Sequence, residues 1–123
     1  MRKKKIGIVG ATGYTGIELI RLLWDHPDVS LECLSSRTYA GKKVSDVFPH
    51  LKGKCDLVTE KFCSDKVAKC KLDLVFLALP HGLAHEMVPI LLKNKIKVID
   101  LSADYRFQKL ETQHIDQYPY NLF

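Results

Sequence analysis

The sequence predicts an α/β fold, a doubly wound parallel sheet with helices on both faces. Three observations point there. Short β-type runs alternate along the chain with segments whose apolar residues recur at helical spacing. Leu74 to Leu79 is an unbroken apolar run, the mark of a strand covered on both sides. A glycine-rich stretch, Gly10 to Gly16, falls between the first strand and the first helix.

The elements follow in order. Lys5 to Val9 reads as a short first strand. Tyr14 to His26 is an amphipathic helix, with Ile17, Ile20 and Trp24 on one face and Leu19, Leu22 and Leu23 beside them. Pro27 ends it. Ser30 to Ser35 is the second strand, and a polar, glycine-containing loop runs on to about Lys54. Asp56 to Thr59 reads as a weaker third strand and Ser64 to Cys70 as a short helix. Leu74 to Leu79 is then the fourth strand. Leu83 to Asn94 is helical, with Met87, Ile90 and Leu91 in phase, and Ile96 to Leu101 is a fifth strand. Beyond it the pattern changes to polar residues, scattered aromatics and two late turn signals around Pro119. The expected organisation is a sheet domain over residues 1–104 and a tail over 105–123 that leads toward an architecture truncated before a second domain.

Composition excludes several classes. A chain of 123 residues, 46% hydrophobic and 27% charged, is ordinary for one globular domain. The longest apolar run is far short of the ~20 residues of a membrane helix. Arg2 to Lys5 leads into Ile6-Gly7-Ile8-Val9-Gly10, too short and glycine-rich for a secretory signal, so the expectation is a cytoplasmic protein without a membrane partner. Cys33, Cys55, Cys63 and Cys70 form no Cys-x-x-Cys pair and read as free thiols. The net charge of +5 is dispersed, without interleaved aromatics, so no nucleic-acid partner is expected. A modest positive field does favour a polyanionic cofactor.

The chemistry is written in four places. In Gly10-Ala11-Thr12-Gly13-Tyr14-Thr15-Gly16, Gly10 permits a tight turn, Gly13 lets backbone approach a pyrophosphate, and Gly16 lets helix pack on sheet. The helix start then offers N–H groups to the phosphates. The strand–turn–helix setting makes this a dinucleotide site rather than a mere turn. The second strand ends Ser35-Ser36-Arg37 instead of in a carboxylate, which suits the 2′-phosphate of NADP. Ala78-Leu79-Pro80-His81-Gly82 closes the fourth strand, placing Leu79, Pro80 and His81 along the nicotinamide half of the cofactor. His81 and His85 lie one helical turn apart, but no third ligand accompanies them and no metal is expected. After the fifth strand, Ser102 and Arg106 are candidates for an anionic substrate; pairing of Asp104 with Arg106 to hold the loop is the competing reading.

The stretches Gly10–Leu19, Ser35–Arg37, Ala78–Gly82 and Val98–Arg106 together resemble N-acetyl-γ-glutamyl-phosphate reductase of arginine biosynthesis, in order along residues 5 to about 107. The last two motifs separate that family from aspartate-semialdehyde dehydrogenases. The resemblance implies an NADPH-binding Rossmann domain followed by a catalytic, dimerising α/β domain, with homo-oligomers expected of the full-length enzyme. It also implies thiolate attack on N-acetylglutamyl phosphate, release of phosphate, and hydride transfer to the thioester to give the semialdehyde. The family's Asn-Pro-Gly-Cys-Tyr nucleophile segment has no counterpart among these residues, so no catalytic residue is assigned. The expectation is the cofactor portion of such a reductase, inactive alone. The alternative is a stand-alone, non-catalytic NADP-binding sensor or regulatory module.

Overall fold

In the computed structural model, which describes residues 2–79 and 84–101, the elements are β1 (Lys4–Val9), α1 (Tyr14–Leu23), β2 (Val29–Ser35), α2 (Val44–Val47), a 3₁₀ turn (Pro49–Leu51), α3 (Ser64–Cys70), β3 (Leu74–Leu77), α4 (Ala84–Lys93) and β4 (Lys97–Asp100). The four strands form one sheet in the order β2-β1-β3-β4, and every pairing is parallel. The chain goes outward from β1 to β2, then crosses back over β1 to start β3. The strand order therefore reverses between β1 and β3, and ligands of open α/β sheets bind at the carboxyl end of such a reversal.

Alternation along the strands divides the core between two faces. Ile6 and Ile8 of β1 pack with Ile20 of α1, Leu31, Leu34, Val44 and Leu51 on one face. Val9, Val75, Leu77 and Val98 pack with Val67 of α3 and with Val88 and Leu91 of α4 on the other. Ile8, Ile20, Val75, Leu77 and Leu91 have no exposed surface, and each such side chain contributes about 1.5–3 kcal/mol relative to exposure. Leu31 and Leu34 face the same side although three residues apart. A β-bulge between Ile6 and Gly7 in the β1–β2 register lets Gly7 pair with Cys33, skipping Glu32, which points to solvent. The bulge turns Cys33 toward the α3 face, where it packs against the other half of the core.

At the amino edge of the sheet, Asp73 joins β1 to the start of β3. Its carboxylate accepts from the Lys5 amide at 2.8 Å and from Arg2 at 2.9 Å. The amide bond first, and then Arg2, hold its carboxyl below the usual range. Arg2 thus has a structural partner at this edge.

Several elements differ from the sequence reading. α1 ends at Leu23 rather than His26, because the residue before a proline is pushed out of helical conformation and the turn tightens through His26 N–H to the Leu23 carbonyl. Asp56–Thr59 is not a strand. Its neighbourhood holds two isolated bridges, Lys43 with Val58 and Ser35 with Glu60, so backbone bonds are shared between two partners instead of forming one ladder. The runs read as Leu74–Leu79 and Ile96–Leu101 are regular strand only over β3 and β4, with Ala78 and Leu101 each adding one backbone hydrogen bond to the neighbouring strand. The expected boundary at residue 104 lies outside the described residues.

Candidate functional site at the carboxyl edge

The glycine turn leaves β1 under close steric control. Gly10 has φ +85°, and an added Cβ would stand 2.3 Å from the Ala78 carbonyl oxygen at the end of β3. A Cβ on Gly16 would stand 2.3 Å from the Gly10 oxygen and 2.6 Å from Ala11. These two glycines answer to the protein's own packing. Gly13 does not. Its Cβ would meet only the Gly10 oxygen, at 3.7 Å. Gly13 is the N-cap of α1 and brings no side-chain cap, so the first amides of the helix remain available to an anion.

The end of β2 grips this turn. The Ser35 carbonyl accepts from both Gly10 N–H at 3.0 Å and Ala11 N–H at 2.9 Å. One residue on, the Ser36 hydroxyl lies 2.7 Å from the Thr12 hydroxyl and accepts from the Tyr39 amide at 3.0 Å. Backbone on the far side completes the frame. Glu60 bonds to Leu34 and Ser36 on either side of Ser35, and its carboxylate reaches Lys66 at 3.0 Å. Buried Thr59 donates to the Tyr39 and Lys42 carbonyls.

These elements enclose a cleft of about 640 Å³, lined along β1 and β2 by Val9, Gly10, Thr12, Gly13, Ser35, Ser36 and Arg37. Thr38, Tyr39, Phe62, Ala78, Leu79 and Met87 complete it. The sequence-derived candidates Gly10, Thr12, Gly13, Ser35, Ser36, Arg37 and Leu79 are thus brought together. Ser35 and Ser36 are buried, while Arg37 is exposed at the rim. Tyr14, Thr15 and Gly16 do not line the cleft; Tyr14 is 99% exposed and Gly16 is buried beneath the turn. Pro80, His81, Ser102 and Arg106 lie outside the described residues. Sequence reasoning missed Thr38, Tyr39, Phe62 and Met87. Met87 carried a signal, its helical phase, but that phase reads as core.

The donor set suits a phosphorylated nucleotide. Hydroxyls, amides and one guanidinium face the cleft, and no carboxylate lines it among the described residues. Among those residues no group of three or more His, Cys, Asp or Glu side chains could hold a metal ion, and no helix is long and apolar enough to cross a membrane.

A strand order that reverses over a glycine turn is how Rossmann-type sheets seat a nicotinamide dinucleotide, and this chain is a nicotinamide-cofactor-binding domain of that class. The sequence profile described as "Semialdehyde dehydrogenase, NAD binding domain" matches residues 5–122. The chain belongs to that oxidoreductase family. It is 52% identical over 108 residues to the N-acetyl-gamma-glutamyl-phosphate reductase of Citrifermentans bemidjiense, covering 88% of this chain and 31% of that protein. It is 55% identical over 102 residues to the enzyme of the same name from Methanosarcina acetivorans, covering 83% and 30%. The chain therefore spans about 31% of the length of the curated relatives it matches. Among solved structures, aspartate semialdehyde dehydrogenase with NADP from Candida albicans superposes with a TM-score of 0.72 at 27% identity, over 86% of this chain and 31% of that one. The resemblance read from the four sequence motifs is borne out by these relatives.

Proposed function

We propose that this domain binds NADPH for the reduction of N-acetyl-γ-glutamyl phosphate to N-acetylglutamate semialdehyde. The observation that carries the substrate assignment is about 50% identity to enzymes named for that reaction. The choice of NADPH is supported by the end of β2, where Ser35, Ser36 and Arg37 stand at the cleft in place of a carboxylate, and by the NADP in the related Candida albicans enzyme. In this reading Gly13 and the first amides of α1, on Tyr14, Thr15 and Gly16, take the pyrophosphate. Thr12 and Ser36 hold the turn against β2, and Arg37 pairs with the 2′-phosphate. Leu79, Pro80 and His81 border the nicotinamide half, and Ser102 and Arg106 bind the substrate's anionic groups. The bound cofactor supplies a hydride; the described residues bind and orient it. The reading carries with it a cytoplasmic setting and a small-molecule substrate.

The cofactor assignment is tested at Arg37. Losing one charge-assisted contact costs about 1.5–3 kcal/mol, so Arg37→Asp is expected to cut the preference for NADPH over NADH by tenfold or more. Equal affinity of the unmodified chain for both cofactors, measured by calorimetry, would overturn the NADP assignment.

The 123-residue chain alone is expected to show no turnover. None of its four cysteines lines the cleft. Burial pushes the Cys55 thiol up, and Cys33 is pushed up to about 12, chiefly by burial. A thiol must be a thiolate to attack an acyl phosphate. The assay is NADP⁺-dependent oxidation of N-acetylglutamate semialdehyde with phosphate, followed by absorbance. Turnover lost on alkylation would mean that one of these cysteines is the nucleophile.

A further inference from the structure

The bulge in β2 has set two thiols against each other. Cys33, on the strand, and Cys70, the last residue of α3, are 37 positions apart, and their sulfurs lie 2.9 Å from one another in an S–H···S contact. Both are half-buried and both pack on the same face of the core. The other two thiols differ in setting, since Cys55 is buried against the opposite face and Cys63 is exposed. A disulfide requires about 2.05 Å between sulfurs. The pair is therefore short of a bond by about 0.9 Å.

We propose that Cys33 and Cys70 are a redox-modification site that closes to an intramolecular disulfide when a low-molecular-weight disulfide such as glutathione disulfide accumulates. The site is independent of the cofactor reading. The exchange runs in two steps. The Cys70 sulfur, as thiolate, attacks glutathione disulfide, forming a mixed disulfide and releasing one glutathione thiolate, which takes up the proton Cys70 lost. The Cys33 sulfur then loses its proton and displaces the second glutathione, which leaves as the thiol. Two protein thiols are oxidised, one glutathione disulfide is reduced to two thiols, and no other reactant is needed.

The order follows from the surroundings of Cys33. Burial, then the Cys70 sulfur, and then the carboxylates of Glu32 and Glu60 disfavour its thiolate, so it is a poor first attacker. Held against a mixed disulfide on Cys70, it has a neighbour's advantage that no dissolved thiol shares. The bond would staple α3 to β2. Phe62 and Met87, which line the cleft, pack against the same core cluster as the two thiols.

The test uses the whole chain. The reduced protein is equilibrated with glutathione disulfide, quenched with N-ethylmaleimide, and examined by intact mass and peptide mapping. The expected product has lost two hydrogens, joins the peptides of Cys33 and Cys70, and reverts with dithiothreitol. Its melting temperature is expected to rise by at least about 5 °C. Cys70→Ala should abolish both changes. Cys33→Ser, which keeps a small polar group at the strand, should leave glutathione on Cys70. A lasting mixed disulfide on Cys70 of the unmodified chain, a bond through Cys55 or Cys63, or no internal bond in the folded protein would each overturn the proposal.

Discussion

Gly10→Ala is expected to destabilise the domain by at least about 3 kcal/mol, and Gly16→Ala by a similar amount. At Gly10 two costs add. A side chain at φ +85° is strained by about 1–2 kcal/mol, and its Cβ would sit 2.3 Å from the Ala78 carbonyl oxygen, which belongs to backbone and cannot rotate away. Gly16 offers the sharper test, because propensity alone predicts the opposite sign. Alanine inside a helix gains about 1 kcal/mol over glycine. Here its Cβ would meet Gly10 and Ala11 backbone at 2.3 and 2.6 Å, so α1 must lift off β1. Against a total stability of about 5–15 kcal/mol, either change should lower the melting temperature by roughly 10 °C or more. A thermal melt of Gly16→Ala at or above the unmodified chain would show that the helix does not rest on the turn as described.

Gly13→Val should do the reverse: it should keep the fold and lose the cofactor. Gly13 has φ −80° and ψ 175°, a conformation valine adopts readily, and beyond its chain neighbours a Cβ there meets only the Gly10 oxygen, at 3.7 Å. The expected loss of stability is only about 1 kcal/mol, from a poorer N-cap. The isopropyl group would fill the approach to the first amides of α1, and affinity for NADPH is expected to fall by a hundredfold or more. Circular dichroism and calorimetry on the same sample separate the two effects. Normal binding by a folded Gly13→Val chain would reduce the motif to a structural turn.

The fold was legible because its signals are local and agree with one another. Glycines between a β-type run and an amphipathic run, a continuous apolar Leu74–Leu79, and Pro27 after a helical stretch each constrain the chain without tertiary information. The false third strand had the right composition but the wrong partners. Glu60 and Val58 bridge to different neighbours, and sequence does not say which backbone groups will be shared. The bulge at Glu32 was equally hidden, because strand alternation assigns Cys33 to the face of Leu31 until one residue is skipped. In the site, motif residues were readable because glycine, serine and arginine act there through fixed chemistry. Phe62 and Met87 were not, since an apolar side chain facing a cleft looks the same in sequence as one facing the core.

The Ser35 carbonyl that takes two amides, and the hydroxyl pair of Thr12 and Ser36, bear on how an incoming dinucleotide is received. They join the turn after β1 to the loop after β2, so the two walls of the cleft already stand at a fixed separation in the free protein. Recognition then approaches lock and key. Ordering a loop or a side chain on association consumes affinity, about 0.5–1.5 kcal/mol for each mobile side chain immobilised. Along this part of the cleft that cost was met when the chain folded. In the proposed reading the exposed Arg37 at the rim is a side chain still to be ordered, and the choice between phosphorylated and unphosphorylated riboses would rest on it, against a frame already tied together.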